Sequence, residues 1–81
     1  MTYQQELIKE WTKKGYKVLK TIRLNENGFP DLMCLKDGVT IWIESKEEND
    51  TLKSLQKKRI DELRLNGFNA FCMKKNKGVI Y

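Results

Sequence analysis

Three charged side chains in the middle of the chain have types and spacings that suit a divalent cation. Asp31 follows a proline, and Glu44 and Lys46 lie two positions apart. Carboxylate oxygens are the ligands that Mg²⁺ and Mn²⁺ prefer, and a lysine ammonium is a compact positive charge that can act beside them. These residues form a site only if the fold brings Asp31 next to Glu44.

A predicted β-hairpin brings the two carboxylates together. Apolar runs flank Asp37-Gly38, and an Asp-Gly pair favours a two-residue type I′ turn because both central residues need a positive φ. With these two residues as the loop, the register places Leu32 opposite Ile43. One step further along, Asp31 lies opposite Glu44, and like charges at such positions destabilise the pair unless something neutralises them.

A divalent cation would neutralise this pair. Because side chains alternate along a strand, Lys46 shares a face with Glu44. Taken singly, each of these residues also fits an ordinary solvated strand end. The arrangement favours a site, since Glu44 ends an apolar run that should be buried, where an unpaired charge is costly.

The order of motifs resembles the PD-(D/E)xK nuclease superfamily and, within it, the virus-type replication-repair nuclease (VRR-NUC) family in its stand-alone, phage-type form. The matching features are a first helix ending at Gly15, the Gly-Phe-Pro-Asp segment 28–31, the hairpin, Glu-Ser-Lys at 44–46, Gln56 on a following helix, and Gly67 before a last strand. The resemblance covers nearly the whole chain. It implies a small α/β domain with an αβββαβ, restriction-endonuclease-like core and a mixed sheet.

The resemblance also implies which residues act. Asp31 and Glu44 would bind Mg²⁺ or Mn²⁺, with the backbone carbonyl of Ser45 as a further ligand. Lys46 would orient the attacking water or stabilise the developing negative charge. Gln56 would position Lys46 or a phosphate through its amide. Asp31, Glu44, Lys46 and Gln56 are thus the expected catalytic set for phosphodiester hydrolysis.

The first helix is expected to contribute to the site. Apolar residues at helical spacing predict a helix from Tyr3 to Lys14. In the family an acidic residue on this helix usually helps the metal site. Gln4 falls inside the apolar stripe and Glu6 falls to its side, so Gln4 holds the inward position and Glu6 is a weaker candidate. The alternative for Gln4 is an amide that serves only the helix start.

The chain carries a formal charge of +5, with 16 basic and 11 acidic residues, which favours a polyanionic partner. Arg23, where the first predicted strand meets a loop, and Lys53 and Lys57 on the second helix are the expected DNA contacts, although charged loop and helix residues are often only solvated. The expected activity is metal-dependent DNA endonuclease cleavage, selective for branched DNA such as four-way junctions. The alternatives are a flap or single-strand nuclease and a non-catalytic basic DNA-binding module.

The remaining elements and the composition complete the expectations. Strands are predicted over Tyr16–Arg23 and Phe68–Met73, with a helix from near Leu52 capped by Asp50 or Thr51 and a possible short last strand. A chain of 81 residues is expected to form one domain, 1–81, and to gain stability as a homodimer.

Composition also excludes several classes of protein. Two cysteines and no histidine cannot build a usual zinc site, and two cysteines within apolar runs fit a reducing compartment. No apolar run approaches the roughly 20 residues of a membrane span. We therefore expect no membrane partner and a cytoplasmic location, in a phage or bacterial setting.

Overall fold

Two helices cover the two faces of one five-stranded sheet. The computed structural model describes residues 1–81. The elements are α1 (Tyr3–Lys13), β1 (Lys17–Lys20), β2 (Leu32–Lys36), β3 (Val39–Lys46), α2 (Ser54–Leu65), β4 (Asn69–Lys74) and β5 (Gly78–Val79). The predicted αβββαβ order is confirmed, with β5 as the short last strand. Neither helix has the length and apolar character needed to cross a membrane.

The sheet is mixed, and its central hairpin has the predicted register. The strands lie in the order β1-β2-β3-β4-β5, with β3 and β4 parallel and the other neighbours antiparallel. Leu32 lies opposite Ile43, as the Asp-Gly turn predicted. Asp37 and Gly38 have φ values of 49° and 78°, the two positive angles that a type I′ turn requires. A local turn therefore fixes which residues of β2 and β3 face each other.

Two apolar clusters attach the helices to opposite faces of the sheet. One cluster contains Leu7, Leu32, Cys34, Ile41 and Ile43, and the other contains Ile60, Leu63, Ala70 and Cys72. Alternation along β3 sends residues 41 and 43 to the α1 side and residues 42 and 44 to the α2 side. Glu44 is consequently buried beneath α2, at the end of an otherwise apolar strand.

β1 is shorter than predicted, and it ends where the chain opposite it reaches Pro30, just before β2. The expected strand ran from Tyr16 to Arg23, whereas the observed strand ends at Lys20. The ladder continues for one more bond, from the backbone N–H of Thr21 to the carbonyl of Asp31. In the continued register Ile22 would lie opposite Pro30, whose ring fixes φ at about −65°, away from the values of an extended strand. The chain leaves the sheet there and forms the β1–β2 loop.

The start of α2 also differs from the prediction. Neither Asp50 nor Thr51 caps the helix, which begins at Ser54 after the N-cap residue Lys53. The backbone N–H of Lys53 instead donates to Oε1 of Gln56, at 2.9 Å. A glutamine three residues into a helix is well placed to accept this bond. Gln56 therefore has a structural role at the helix start in addition to any role in the site.

Gly28 allows the β1–β2 loop to pass close beneath α2. Its φ is +88°, and a Cβ built there would lie 2.7 Å from Cγ of Leu55. Gly67 is a matched control, since its φ is +85° and nothing lies within 4 Å of its Cβ position. Both glycines avoid left-handed strain, but only Gly28 also avoids a steric clash.

We therefore expect Gly28→Ala to destabilise the protein more than Gly67→Ala does. The left-handed conformation alone should cost about 1 kcal/mol of unfolding free energy in Gly67→Ala, and the added clash should bring Gly28→Ala to about 2–3 kcal/mol. Urea denaturation of the two variants measures both values. Equal losses would show that the loop and α2 are not in close contact.

Candidate active site

Asp31 is held at the entrance to β2 by three hydrogen bonds. Its Oδ1 accepts from the backbone N–H of Ser45 at 2.9 Å, and its Oδ2 accepts from the Ser45 hydroxyl at 2.6 Å. The amide Nε2 of Gln4 also donates to Oδ2, at 2.8 Å. These donors come from β3 and α1, so the Asp31 carboxylate is fixed where α1 meets the end of the sheet.

Glu44 and Lys46 form a buried ion pair on the α2 side of β3. Each residue is only 6% exposed, and Nζ of Lys46 lies 3.6 Å from Oε2 of Glu44. Nε2 of Gln56 donates to the same carboxylate oxygen at 3.3 Å. Burying a pair of charges costs desolvation energy that their attraction need not repay. A role in binding or catalysis therefore explains the burial of this ion pair better than a contribution to folding stability does.

The pKa of Glu44 is raised to about 7. The largest cause is burial, which penalises the charged form, and the negative charge of Asp31 adds to the rise; the ammonium of Lys46 opposes it. Two carboxylates therefore influence each other at the end of the hairpin, as the register indicated. A cation bound between them would offset both the burial and the repulsion.

Gln56 contacts Glu44, and the hydrogen bonds of the structure do not include the expected contact with Lys46. Its Oε1 accepts from the helix N-cap, which leaves only the NH₂ group facing the site. An NH₂ group donates and cannot accept from an ammonium. Gln56 is thus placed to hold the Glu44 carboxylate, and its link to Lys46 runs through that carboxylate.

The two first-helix candidates lie in different places. Gln4 reaches Asp31, whereas Glu6 is exposed and lies on a separate depression with Lys9 and Lys13. A neutral amide therefore stands at the inward position of α1. No group of three or more cysteine and acidic side chains is arranged to hold a metal ion by itself, so the site offers the two carboxylates of Asp31 and Glu44.

This donor set fits a small divalent cation. Mg²⁺ keeps several waters and is usually bound through one or two carboxylates together with substrate phosphates. Asp31 and Glu44 meet that requirement, and Ser45 lies directly beside Asp31. Burial raises the pKa of both Cys34 and Cys72 to about 11, and thiolates suit softer metals than Mg²⁺ or Mn²⁺.

The expected DNA-contacting residues Arg23, Lys53 and Lys57 are all exposed. Arg23 lies in the β1–β2 loop and Lys53 precedes α2. Lys57 lines a groove of about 310 Å³ together with Lys74 and Tyr81. Neither Lys57 nor Lys74 has a carboxylate partner within 4.0 Å, because the ion pairs of the protein involve only Lys46, Arg59 and Arg64.

Sequence reasoning missed two features of this region. Lys74 lies opposite Lys46 in the parallel ladder and on the same face, and parallel pairing between distant strands leaves no local sequence signal. The hydroxyl of Ser45 binds Asp31, whereas the family resemblance implied a role only for its backbone carbonyl. A third signal lay outside this region, at the start of the first helix. The Thr-x-x-Gln pattern at residues 2–5 is typical of a capping box, and the structure forms one at α1.

The fold and this constellation define a PD-(D/E)xK-type nuclease core of the restriction-endonuclease-like class. The family model described as VRR-NUC domain matches residues 2–76. The chain therefore belongs to the VRR-NUC domain family, as its motifs had suggested, and is a nuclease domain of that type. No curated protein matches it.

Two solved structures are similar to the chain. A structure described as a VRR-NUC domain is 28% identical with a TM-score of 0.74, covering 85% of this chain and 76% of that one. Hjc of Archaeoglobus fulgidus, a Holliday junction resolvase from an archaeal hyperthermophile, is 18% identical with a TM-score of 0.67. That match covers 90% of this chain and 61% of Hjc. It shows that the two proteins have similar folds.

The raised pKa of Glu44 predicts an unusual pH dependence of stability without metal. The native state holds the Glu44 proton up to about pH 7 and the unfolded state only to about pH 4.5. The free energy of unfolding should therefore fall as pH rises through this window. In EDTA, Glu44→Gln should lack this fall, so its stability relative to the wild type should increase by roughly 1–3 kcal/mol from the acid to the alkaline side of the window.

Urea denaturation on both sides of the window measures this difference. Glu48→Gln is the matched control, because Glu48 is an exposed glutamate in the loop that follows β3. We expect it to change stability little and equally at both pH values. A Glu44→Gln variant whose stability falls across the window as much as that of the wild type would contradict the buried-charge argument.

Proposed function

We propose that this protein is a DNA endonuclease that needs Mg²⁺ or Mn²⁺ and hydrolyses phosphodiester bonds in branched DNA such as four-way junctions. The observation that carries the proposal is the meeting of Asp31, Glu44 and Lys46 at one end of the β2–β3 hairpin. Nζ of Lys46 and Oε2 of Glu44 are 3.6 Å apart, so the ammonium balances one carboxylate, and the charge of Asp31 is left for a cation to balance.

Each side chain of the site has a distinct task in this proposal. Asp31 and Glu44, with the Ser45 carbonyl, would hold the metal ion, which when bound polarises the phosphoryl group and lowers the pKa of water. Lys46 stabilises negative charge that develops on a phosphoryl oxygen or orients the attacking water. Gln4 and Gln56 hold the two carboxylates in place by donating hydrogen bonds to them.

Unpaired basic residues around the site support a nucleic-acid substrate. Lys57 and Lys74 share a groove next to the strand end that carries Lys46. Arg23 and Lys53 are exposed on the β1–β2 loop and at the start of α2. Cations without carboxylate partners are available to bind phosphates, so binding should weaken steeply with salt.

Branch selectivity and a homodimer belong together in this proposal. A four-way junction offers two equivalent strands, and one carboxylate pair can address only one of them at a time. Exposed apolar side chains, such as Val79 at 61% and Phe68 at 43%, provide surface that a second copy would bury. Sedimentation equilibrium at micromolar concentration tests the dimer, and a monomer that still makes paired cuts in a junction would contradict it.

Removing either ligand charge should abolish cleavage while the fold persists. Asp31→Asn and Glu44→Gln keep side-chain size, and each should lower the single-turnover rate by at least about 10³, since a bound metal contributes several kcal/mol of charge stabilisation. The assay compares four-way junction, flap, single-stranded and matched duplex DNA in Mg²⁺, Mn²⁺ and EDTA. Asp50→Asn, in an exposed turn, is the control.

The same assay separates the alternatives. Wild-type turnover with normal metal dependence in either ligand variant would overturn the assignment of the site. Cleavage of flaps or single strands but not of junctions would keep the nuclease and replace its substrate. DNA binding without cleavage under any metal condition would make the protein a basic binding module.

Lys46 should matter for catalysis far more than for affinity. Lys46→Ala should reduce the single-turnover rate by about 10²–10³, the usual loss when one group that stabilises transition-state charge is removed. Lys46→Arg should rescue little, because a planar guanidinium cannot replace a compact ammonium. Lys77→Ala is the binding control, because Lys77 is an exposed lysine in the turn between β4 and β5. If Lys46→Ala weakened only binding, Lys46 would be an ordinary phosphate contact.

A further inference from the structure

The β1–β2 loop presents large apolar side chains to solvent directly before the site. Ile22 is 86% exposed and Leu24 is 45% exposed, with the exposed Arg23 between them. Single exposed apolar residues are common on protein surfaces and need no explanation. The position of this loop relative to Asp31 is what distinguishes it.

Hydrogen bonds of the neighbouring residue, Thr21, hold Ile22 close to Asp31. The N–H of Thr21 donates to the carbonyl of Asp31 at 3.0 Å, and the Thr21 hydroxyl donates to the carbonyl of Pro30. Paired residues of adjacent strands have Cα atoms about 5 Å apart, and consecutive Cα atoms are about 3.8 Å apart. Since Thr21 pairs with Asp31 and Ile22 follows Thr21, the Cα atoms of Ile22 and Asp31 lie within roughly 10 Å of each other. This distance corresponds to about three base steps of DNA.

The base of the loop is fixed against α2. Nε of Arg59 donates to the carbonyl of Asn27 at 2.8 Å, and its guanidinium lies 5.4 Å from the centre of the Phe29 ring. Gly28 packs against Leu55. The loop is therefore anchored on α2 at residues 27–29, while Ile22, near its other end, is exposed to solvent.

We infer that Ile22, supported by Leu24, inserts between bases at the branch point of the DNA while Arg23 contacts a neighbouring phosphate. Proteins that kink DNA often place an isoleucine or leucine between base steps, which costs a few kcal/mol of unstacking. That cost is smallest where base pairing or stacking is already interrupted. The wedge thus favours branched over matched duplex DNA, and this inference rests on the proposed function.

The charge of the loop favours DNA over a second protein copy as the occupant. Arg23 lies between the two apolar residues, and Glu26, the only acid between Thr21 and Pro30, has its Oε2 3.8 Å from the guanidinium of Arg59. The loop tip therefore presents apolar and positive surface. A second copy seated on Ile22 would also cover the approach to Asp31, which the substrate needs.

The test compares Ile22→Ser with Leu65→Ser. Leu65 is 88% exposed, nearly the same as Ile22, but it lies at the far end of α2. Both changes are made in Asp31→Asn protein, so that binding is measured without cleavage. The probes are a four-way junction with 2-aminopurine at the branch point and a duplex of matched sequence.

Ile22→Ser should lower junction affinity about tenfold, in line with the loss of one buried isoleucine side chain, while leaving duplex affinity within about twofold. The increase in 2-aminopurine fluorescence that reports unstacking should disappear. Ile22→Met should keep the junction affinity and the fluorescence increase of the parent protein, because methionine is an apolar side chain of similar size. Leu65→Ser should bind both probes as the parent protein does.

Several outcomes would overturn the wedge. These are equal losses for junction and duplex, the same loss in Leu65→Ser, or an Ile22→Ser protein that changes from dimer to monomer in sedimentation equilibrium. If the parent protein prefers junctions and Ile22→Ser keeps that preference, the wedge fails and the proposed function stands. If the parent protein binds junction and duplex equally, branch selectivity fails together with the wedge.

Discussion

The structure depends on burying Glu44 within reach of the charge of Asp31. An acidic side chain at the end of an apolar strand is expensive, and here burial and the neighbouring carboxylate together raise the pKa of Glu44 to about 7. Lys46 compensates for one negative charge. The second carboxylate is held by neutral hydrogen-bond donors alone, which leaves the pair with a charge that a cation can balance.

Each helix contributes one amide to this arrangement. α1 supplies Gln4 to Asp31, and α2 supplies Gln56 to Glu44. The helices reach these positions because separate apolar clusters attach them to opposite faces of the sheet. The carboxylates lie at the end of the hairpin, where side chains from both helices reach them. The packing of the whole domain therefore determines the geometry of the site.

Local sequence signals predicted the parts of this structure that depend on short-range geometry. Asp37-Gly38 set the turn, the turn set the hairpin register, and alternation set the faces, so the approach of Asp31 to Glu44 followed from counting residues. Contacts between distant segments had no such local signal, and only the family motif pointed to Gln56 on the second helix. The pairing of Lys74 beside Lys46 and the approach of α2 to Glu44 depend on parallel β-strand pairing and helix packing.

The errors in the predicted boundaries have the same origin. The strand β1 ends early, where the chain opposite it reaches Pro30, which only the register reveals. α2 begins late because Gln56, and neither Asp50 nor Thr51, satisfies a backbone donor at its start. That same bond turns the Gln56 amide so that its NH₂ group meets Glu44. A residue read from the motif as catalytic thus also defines where its helix begins.

Calorimetric titration with Mn²⁺, above the pKa of Glu44, tests the central claim most directly. The account predicts saturable binding to the wild type, release of protons as the pH approaches about 7, and loss of binding in Asp31→Asn. It also predicts that Mn²⁺ raises the unfolding temperature of the wild type only. Equal binding by the wild type and Asp31→Asn, or no binding by either at millimolar Mn²⁺, would contradict the assignment of the carboxylate pair as a metal site.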